Sequence, residues 1–360
     1  MSGRYGEDME YLKLNPRDSR LVYCGRIDME QEEGPLFVFP ASFVRFKLSG
    51  KVGLAKIKNQ RDYFQNTIGV LVNGVYMGKL LLADEGETLI DFSGFLTGEL
   101  SEVTLYKTQD GCHQFHLQEL WVAQDAVVEA GTPLPKRRIE VYGDSISAGE
   151  LSELMDLVAS PDPENHQGLP SNSYYSYSWF LARKLNACLH DIAQGGIALK
   201  NGQGWYDGPN YLGMESVYDK ISYQPRFGKV KNWDFGAYIP QLVIVAIGQN
   251  DANPVNYMAQ DYEGSQGQRW REEYKAWIQQ LMRLYPKAYI VLTTTILNHD
   301  EGWDRAIEQV CRELESPRVK HFLYEKNGCG TPGHVRAPEA ERMAAQLAAY
   351  VAELKIDWEE

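Results

Sequence analysis

Apolar and polar positions follow two different rhythms along the chain. From about residue 20 to 123, short runs at 37–39, 42–47, 69–72, 89–92 and 103–106 alternate or are rich in β-branched and aromatic residues. Turn residues break them at intervals, as in Asn73-Gly74 and Asp110-Gly111. Such spacing, with no helical period, predicts an antiparallel β-sandwich. The stretch from Glu129 to Pro135, EAGTPLP, reads as a linker.

Beyond it the pattern becomes strand, helix, strand. Apolar strands are expected at 138–142, 188–193, 241–247 and 288–296, with a shorter one near 319–324. Trp270, Tyr274, Trp277, Ile278, Leu281 and Met282 share one face of a helical run that Pro286 stops. Near the C-terminus Ala340, Met343, Leu347, Tyr350 and Leu354 repeat that pattern. The alternation implies an α/β unit, a parallel sheet with helices on both faces. The expected division is residues 1–130 for the sandwich and 131–360 for the α/β unit.

In α/β folds of this kind, sites form at the carboxyl ends of the strands. Four loops there carry chemistry. Gly143-Asp144-Ser145 follows the first strand, Gly195-Gly196 the second and Gly248-Gln249-Asn250-Asp251 the third, while His334 precedes the last helix. Each has an ordinary reading alone: a helix N-cap, a tight turn, an Asx turn and a bystander histidine. Together they supply a hydroxyl, a backbone donor, an amide and an imidazole, the inventory for acyl transfer. Such chemistry needs a nucleophile, a base for its proton and donors for the oxyanion.

Composition narrows the classes. The net charge of −13 argues against a nucleic-acid partner, and no apolar run approaches a membrane span. The polar, acidic N-terminus lacks the features of a secretory signal, which predicts a cytoplasmic protein. Five widely spaced cysteines form no C-x-x-C pair, so neither a disulfide framework nor a zinc site is expected, and no metal or other cofactor is called for. The state of association is left open, a homo-oligomer included.

The blocks G-D-S, a later Gly, G-x-N-D and a late His resemble the SGNH (GDSL-type) hydrolases. That resemblance implies a three-layer α/β/α domain with Ser145 as nucleophile and, through its N–H, oxyanion donor. Asp191 to Gly196 resembles the family's N-x-G-x-x-G block, making Gly196 the second donor, with Gly195 as a substitute. Asn250 would donate its side-chain amide and His334 would be the base. The segments VYCGRID, FVFPASFVRFKLSG, GVLVNGV and SEVTLYKTQDGCHQFHLQELWV look like the N-terminal jelly roll of family 2 carbohydrate esterases, which remove acetyl groups from sugars. An acetylated oligo- or polysaccharide such as acetylated xylan or glucomannan is the substrate so implied. Rival readings are an SGNH lipid esterase or thioesterase, and a non-catalytic carbohydrate-binding protein.

One position departs from the family pattern. Three residues before His334, where SGNH hydrolases usually carry Asp, stands Thr331. Some family 2 esterases hold the imidazole with a main-chain carbonyl, so a carbonyl from 327–333 is expected to orient His334. Trp205 with Tyr206, and Trp303, taken to lie in the loop after a strand ending at Ile296, are candidate sugar platforms. The stretch from Glu150 to Ser173 reads as a long mobile loop, either a lid or an insertion.

Overall fold

The structure, a computed structural model, describes residues 10–359. The start of the N-terminal stretch behind the localisation expectation lies outside the described residues.

Two antiparallel six-stranded sheets fill the first part of the chain. One runs through Ile27–Asp28, Leu36–Phe37, Gln114–Ala123, Gly53–Gln60 and Glu85–Asp91, with Tyr11–Leu14 also on Gln114–Ala123. The other orders Val128–Ala130, Phe43–Gly50, Gly98–Lys107, Thr67–Val72 and Val75–Leu81, with Val22–Cys24 also on Phe43–Gly50. Alternation decides which side chains meet: Val44, Phe46 and Leu48 point inward from one sheet, and Ala55, Ile57, Phe115 and Leu117 from the other, into one shared core. The strand Gly53–Gln60 escapes a reading by apolar content because Lys56 and Lys58 take its outer face. Val128–Ala130 extends a sheet into the expected linker.

The second part is built on five parallel strands in the order Ala187–Ala193, Arg137–Gly143, Leu242–Ala246, Tyr289–Thr293, Val319–His321. Each coincides with an expected strand, although the fourth ends before 296. Ile139, Val141, Ile244 and Val291 pack under the helices Tyr177–Lys184 and Ala337–Glu353. Tyr142, Val243, Val245 and Leu292 pack under Ser265–Leu284 and Glu301–Glu313. Among the described residues no helix is long and apolar enough to cross a membrane.

The strand order reverses between Arg137–Gly143 and Leu242–Ala246, and such a switch opens a crevice at the carboxyl ends. The antiparallel sheets pack against this unit through shared cores: Val38, Phe39 and Cys112 join one helical layer's cluster, while Ala41, Leu71 and Tyr106 join the other's. Arg26 reaches from the first part into the second, where its buried guanidinium lies 3.3 Å from Glu140 and donates to the backbone oxygens of Tyr218 and Lys220.

Candidate active site

A cavity of about 950 Å³ lies at the switch point, lined by Ser145, Gly196, Asn250 and His334 together. Residues from four separate loops thus converge, as the sequence led us to expect.

Ser145 opens a short helix directly after its strand and is 4% exposed. Gly143 is required beneath it, since a Cβ there would lie 2.0 Å from Ser147 Oγ. Asp144 caps the helix through Ile146 N–H and accepts Gln249 Nε2 at 2.6 Å and Asn250 Nδ2 at 3.1 Å. That carboxylate ties the Ser145 turn to the Asn250 turn. Burial pushes it up to about 6, against the hydrogen bonds from Ile146 and Gln249. Asn250 also donates to Ile197 O at 3.2 Å, which sets its amide beside the Gly196 loop. Asp251, buried, fixes that loop from below by accepting Leu199 N–H and Trp270 Nε1.

The structure separates the two glycines. Gly195 N–H is occupied, donating to Asp110 Oδ2 at 2.6 Å. Gly196 has φ 71°, and its N–H has no protein acceptor among the described residues. Gly196 is therefore the residue able to offer an amide to an oxyanion. The clamp comes from the antiparallel sheets: Asp110 also accepts Gln194 Nε2 at 3.0 Å.

His334 is oriented by a carboxylate, which corrects the expectation of a carbonyl. Asp162 Oδ2 lies 2.6 Å from Nδ1, and Asp162 Oδ1 accepts the His334 backbone N–H and Arg336 Nη2. Burial would raise the Asp162 pKa, but hydrogen bonds and charge from His334 and Arg336 hold it far below the usual carboxylate range. The Thr331 hydroxyl donates to Gly333 O instead. Gly333 lets the two segments touch, because a Cβ there would lie 2.6 Å from Ser160 O.

Asp162 belongs to the stretch read as a lid or insertion. Here the segment is tied on both sides, with Ser173 N–H on Thr108 O, Gln65 N–H on Gln167 O and Ala337 N–H on Ser152 O. No hydrogen bond joins Ser145 to His334 among the described residues; Nε2 instead faces Glu150 Oε2 at 3.5 Å.

Trp205 stands on the cavity rim, 67% exposed, with Tyr206 in the wall. Trp303 does not line the cavity, which overturns its assignment as a sugar platform. It is fully buried, packed edge-on against Trp270 and Tyr257, with Nε1 on Asn256. It belongs to the inner face of Glu301–Glu313 with Ala306, Ile307 and Val310, and the Asp300 cap marks the start of that helix. Reading the preceding strand too long concealed this period.

Asp62, Tyr63 and Phe64, from the antiparallel sheets, also line the cavity, and Arg226 bridges Asp62 and Asp207 on its wall at 2.5 and 2.6 Å. Nothing local in the sequence singles these residues out. Asp110, Cys112 and His113 come within 4.8 Å of one another, a grouping that ligand spacing did not suggest. They satisfy themselves: Asp110 binds three N–H donors, Cys112 Sγ meets His113 Nε2 at 3.1 Å, and the Lys107 ammonium bonds Asp110 O.

With this geometry established, comparison with known proteins places the chain. Residues 23–130 match the model for the N-terminal region of carbohydrate esterase family 2. The cellulase/esterase CelE of Acetivibrio thermocellus is 27% identical over 348 residues, covering 94% of this chain and 40% of that protein, so the chain spans well under half of this relative's length. The acetylxylan esterase/glucomannan deacetylase of Cellvibrio japonicus is 24% identical over 345 residues, covering 95% and 90%. A solved family 2 carbohydrate esterase from Clostridium thermocellum, in complex with cellohexaose, superposes with TM-score 0.75 at 22% identity, over 92% of this chain and 98% of that one. The fold is that of this solved esterase. By these likenesses the chain is a relative of the family 2 carbohydrate esterases.

Proposed function

We propose that the protein is a serine esterase that removes O-acetyl groups from plant-polysaccharide saccharides such as acetylated xylan or glucomannan. The observation that carries this reading is the Asp162–His334 pair in one cavity with Ser145, Gly196 and Asn250. The carboxylate at Nδ1 leaves Nε2 to accept the Ser145 proton as Oγ attacks the acetyl carbonyl. The Ser145 and Gly196 amides receive the charge that develops on oxygen, and Asn250 Nδ2 joins them by turning one N–H away from Ile197 O. Collapse expels the sugar oxygen, which takes the proton from His334, and leaves acetyl-Ser145. Water, deprotonated by His334, then releases acetate and restores the serine. None of these steps needs a metal.

Support for a sugar substrate comes from Trp205 on the rim, and from relatives named as an acetylxylan esterase/glucomannan deacetylase and a cellohexaose-bound esterase. In this reading residues 1–130 form a jelly-roll sandwich and 131–360 the SGNH catalytic domain. A cytoplasmic location goes with five free cysteines and is tested by cell fractionation. The deciding experiment is acetate release from acetylated xylan and glucomannan by the wild type and by Ser145→Ala. Equal release by both overturns the proposal.

A further inference from the structure

The imidazole of His334 has a carboxylate at each ring nitrogen. Asp162 serves Nδ1, and Glu150 Oε2 stands 3.5 Å from Nε2, the nitrogen that the proposed reaction reserves for Ser145. Glu150 gets there by a sharp return of the chain. Gly149 adopts φ 78°, where a Cβ would lie 2.5 Å from Asn172 O, and Glu150 N–H then bonds Ser145 O at 2.9 Å. The carboxylate enters the cavity wall against the oxyanion loop, since a Cβ on Gly195 would lie 2.9 Å from Oε2.

Glu150 has no lysine or arginine partner among the described residues, and His334 is its one cationic contact. The other titratable groups around it are Asp110 and Tyr63 from the antiparallel sheets, Asp144 from the nucleophile turn and Asp162 from the long loop. On the far side of His334, Arg336 holds Asp162, and His166 feels both members of the Asp162–His334 pair.

We propose that Glu150 is a positioning residue that competes with Ser145 for Nε2 of His334 and so sets the acid limit of catalysis. This rests on the serine esterase reading. While the ring is an imidazolium paired with Glu150, Nε2 carries a proton and cannot accept another from the serine. Burial disfavours the imidazolium, but Glu150 first, then Asp162 and Asp144, outweigh it and push the ring up to about 9. Glu150 is itself pushed up to about 7, chiefly by burial, with His334 pulling it down and the neighbouring acids pushing it up. Raising the pH through the His334 titration removes the ring proton and frees the base.

Glu150→Gln keeps the shape and removes the charge. The acid limb of kcat/KM for 4-nitrophenyl acetate should move down by roughly one to three pH units, the usual effect of one opposite charge at this range. NMR titration of the His334 ring, assigned by its loss in His334→Gln, should move in the same direction. An unmoved ring titration in folded Glu150→Gln overturns the pairing, whether or not the protein hydrolyses esters. A ring titration that moves without the rate profile overturns the role in catalysis. Hydrolysis independent of Ser145 overturns the esterase reading instead, and the ring titration still decides the pairing.

Discussion

Asp162 and His334 lie 172 residues apart in the chain, yet the carboxylate of one is 2.6 Å from Nδ1 of the other. The pair is locked by the His334 backbone N–H and by Arg336. Asp162→Asn should lower kcat by up to about ten-thousand-fold, as when the orienting carboxylate of a triad is lost. Steady-state kinetics on an aryl acetate, with circular dichroism to verify folding, measures this. A loss below tenfold in a folded variant would return the orienting role to another group.

The oxyanion assignment makes a separable demand. Asn250→Ala should reduce kcat by roughly a hundred- to a thousand-fold with KM little changed. Since Asn250 also holds Asp144, melting should be measured alongside. A rise in KM alone would make Asn250 a binding residue.

Asp110 acts at one remove from the reacting atoms. It fixes the Gly195 amide and the Gln194 side chain, and so the direction of the next N–H in the chain. Asp110→Ala should lower kcat by about a hundredfold, the scale of a 1 Å misplacement. The KM should stay near that of the wild type, which a general loss of folded protein would also leave intact, so active sites must be counted by titration with a covalent inhibitor of Ser145.

Two tryptophans should behave oppositely. Trp205→Ala should raise KM for acetylated oligosaccharides while sparing aryl acetate hydrolysis and stability. Trp303→Ala, which empties a fully buried site, should cost about 3–5 kcal/mol in urea denaturation. Equal stability of the two variants would contradict the packing described.

The Arg26–Glu140 pair predicts a stability effect across the two regions. Removing one partner of a buried ion pair costs about 3–5 kcal/mol because the other charge is left uncompensated. Arg26→Ala should show that loss by denaturant titration, with Glu140 stranded beside Tyr142 and Tyr285.

What the sequence disclosed follows from where each signal resides. Ser145, Gly196 and Asn250 lie in loops just past strands, only the last of which is a continuous apolar run, and His334 precedes a helix with clear periodicity, so their joint order and not any one local pattern carried the signal. Asp162 lies in irregular chain with no period, and only the folding of that segment against Gly333 brings it to His334. Glu150 stands five residues after Ser145 and was read only as the start of the long loop, because its return into the cavity depends on the left-handed Gly149. Trp303 was misplaced through an overextended strand. Asp62, Tyr63, Phe64 and Asp110 meet the site only through tertiary packing.

The packing of the antiparallel sheets on the α/β unit bears on how this protein can be cut or recombined. A fragment beginning at Arg137 would keep Ser145, Asn250, Asp162 and His334. It would lose the carboxylate on Gly195 and the cavity wall of Tyr63 and Phe64, and would bare the surface now under Val38, Phe39 and Tyr106. The stretch around 131–136 is thus a poor place for a protein engineer's scissors. Grafting a different module in place of the first 130 residues would trade away part of the cavity that holds Ser145 and His334, so the two parts must be inherited together.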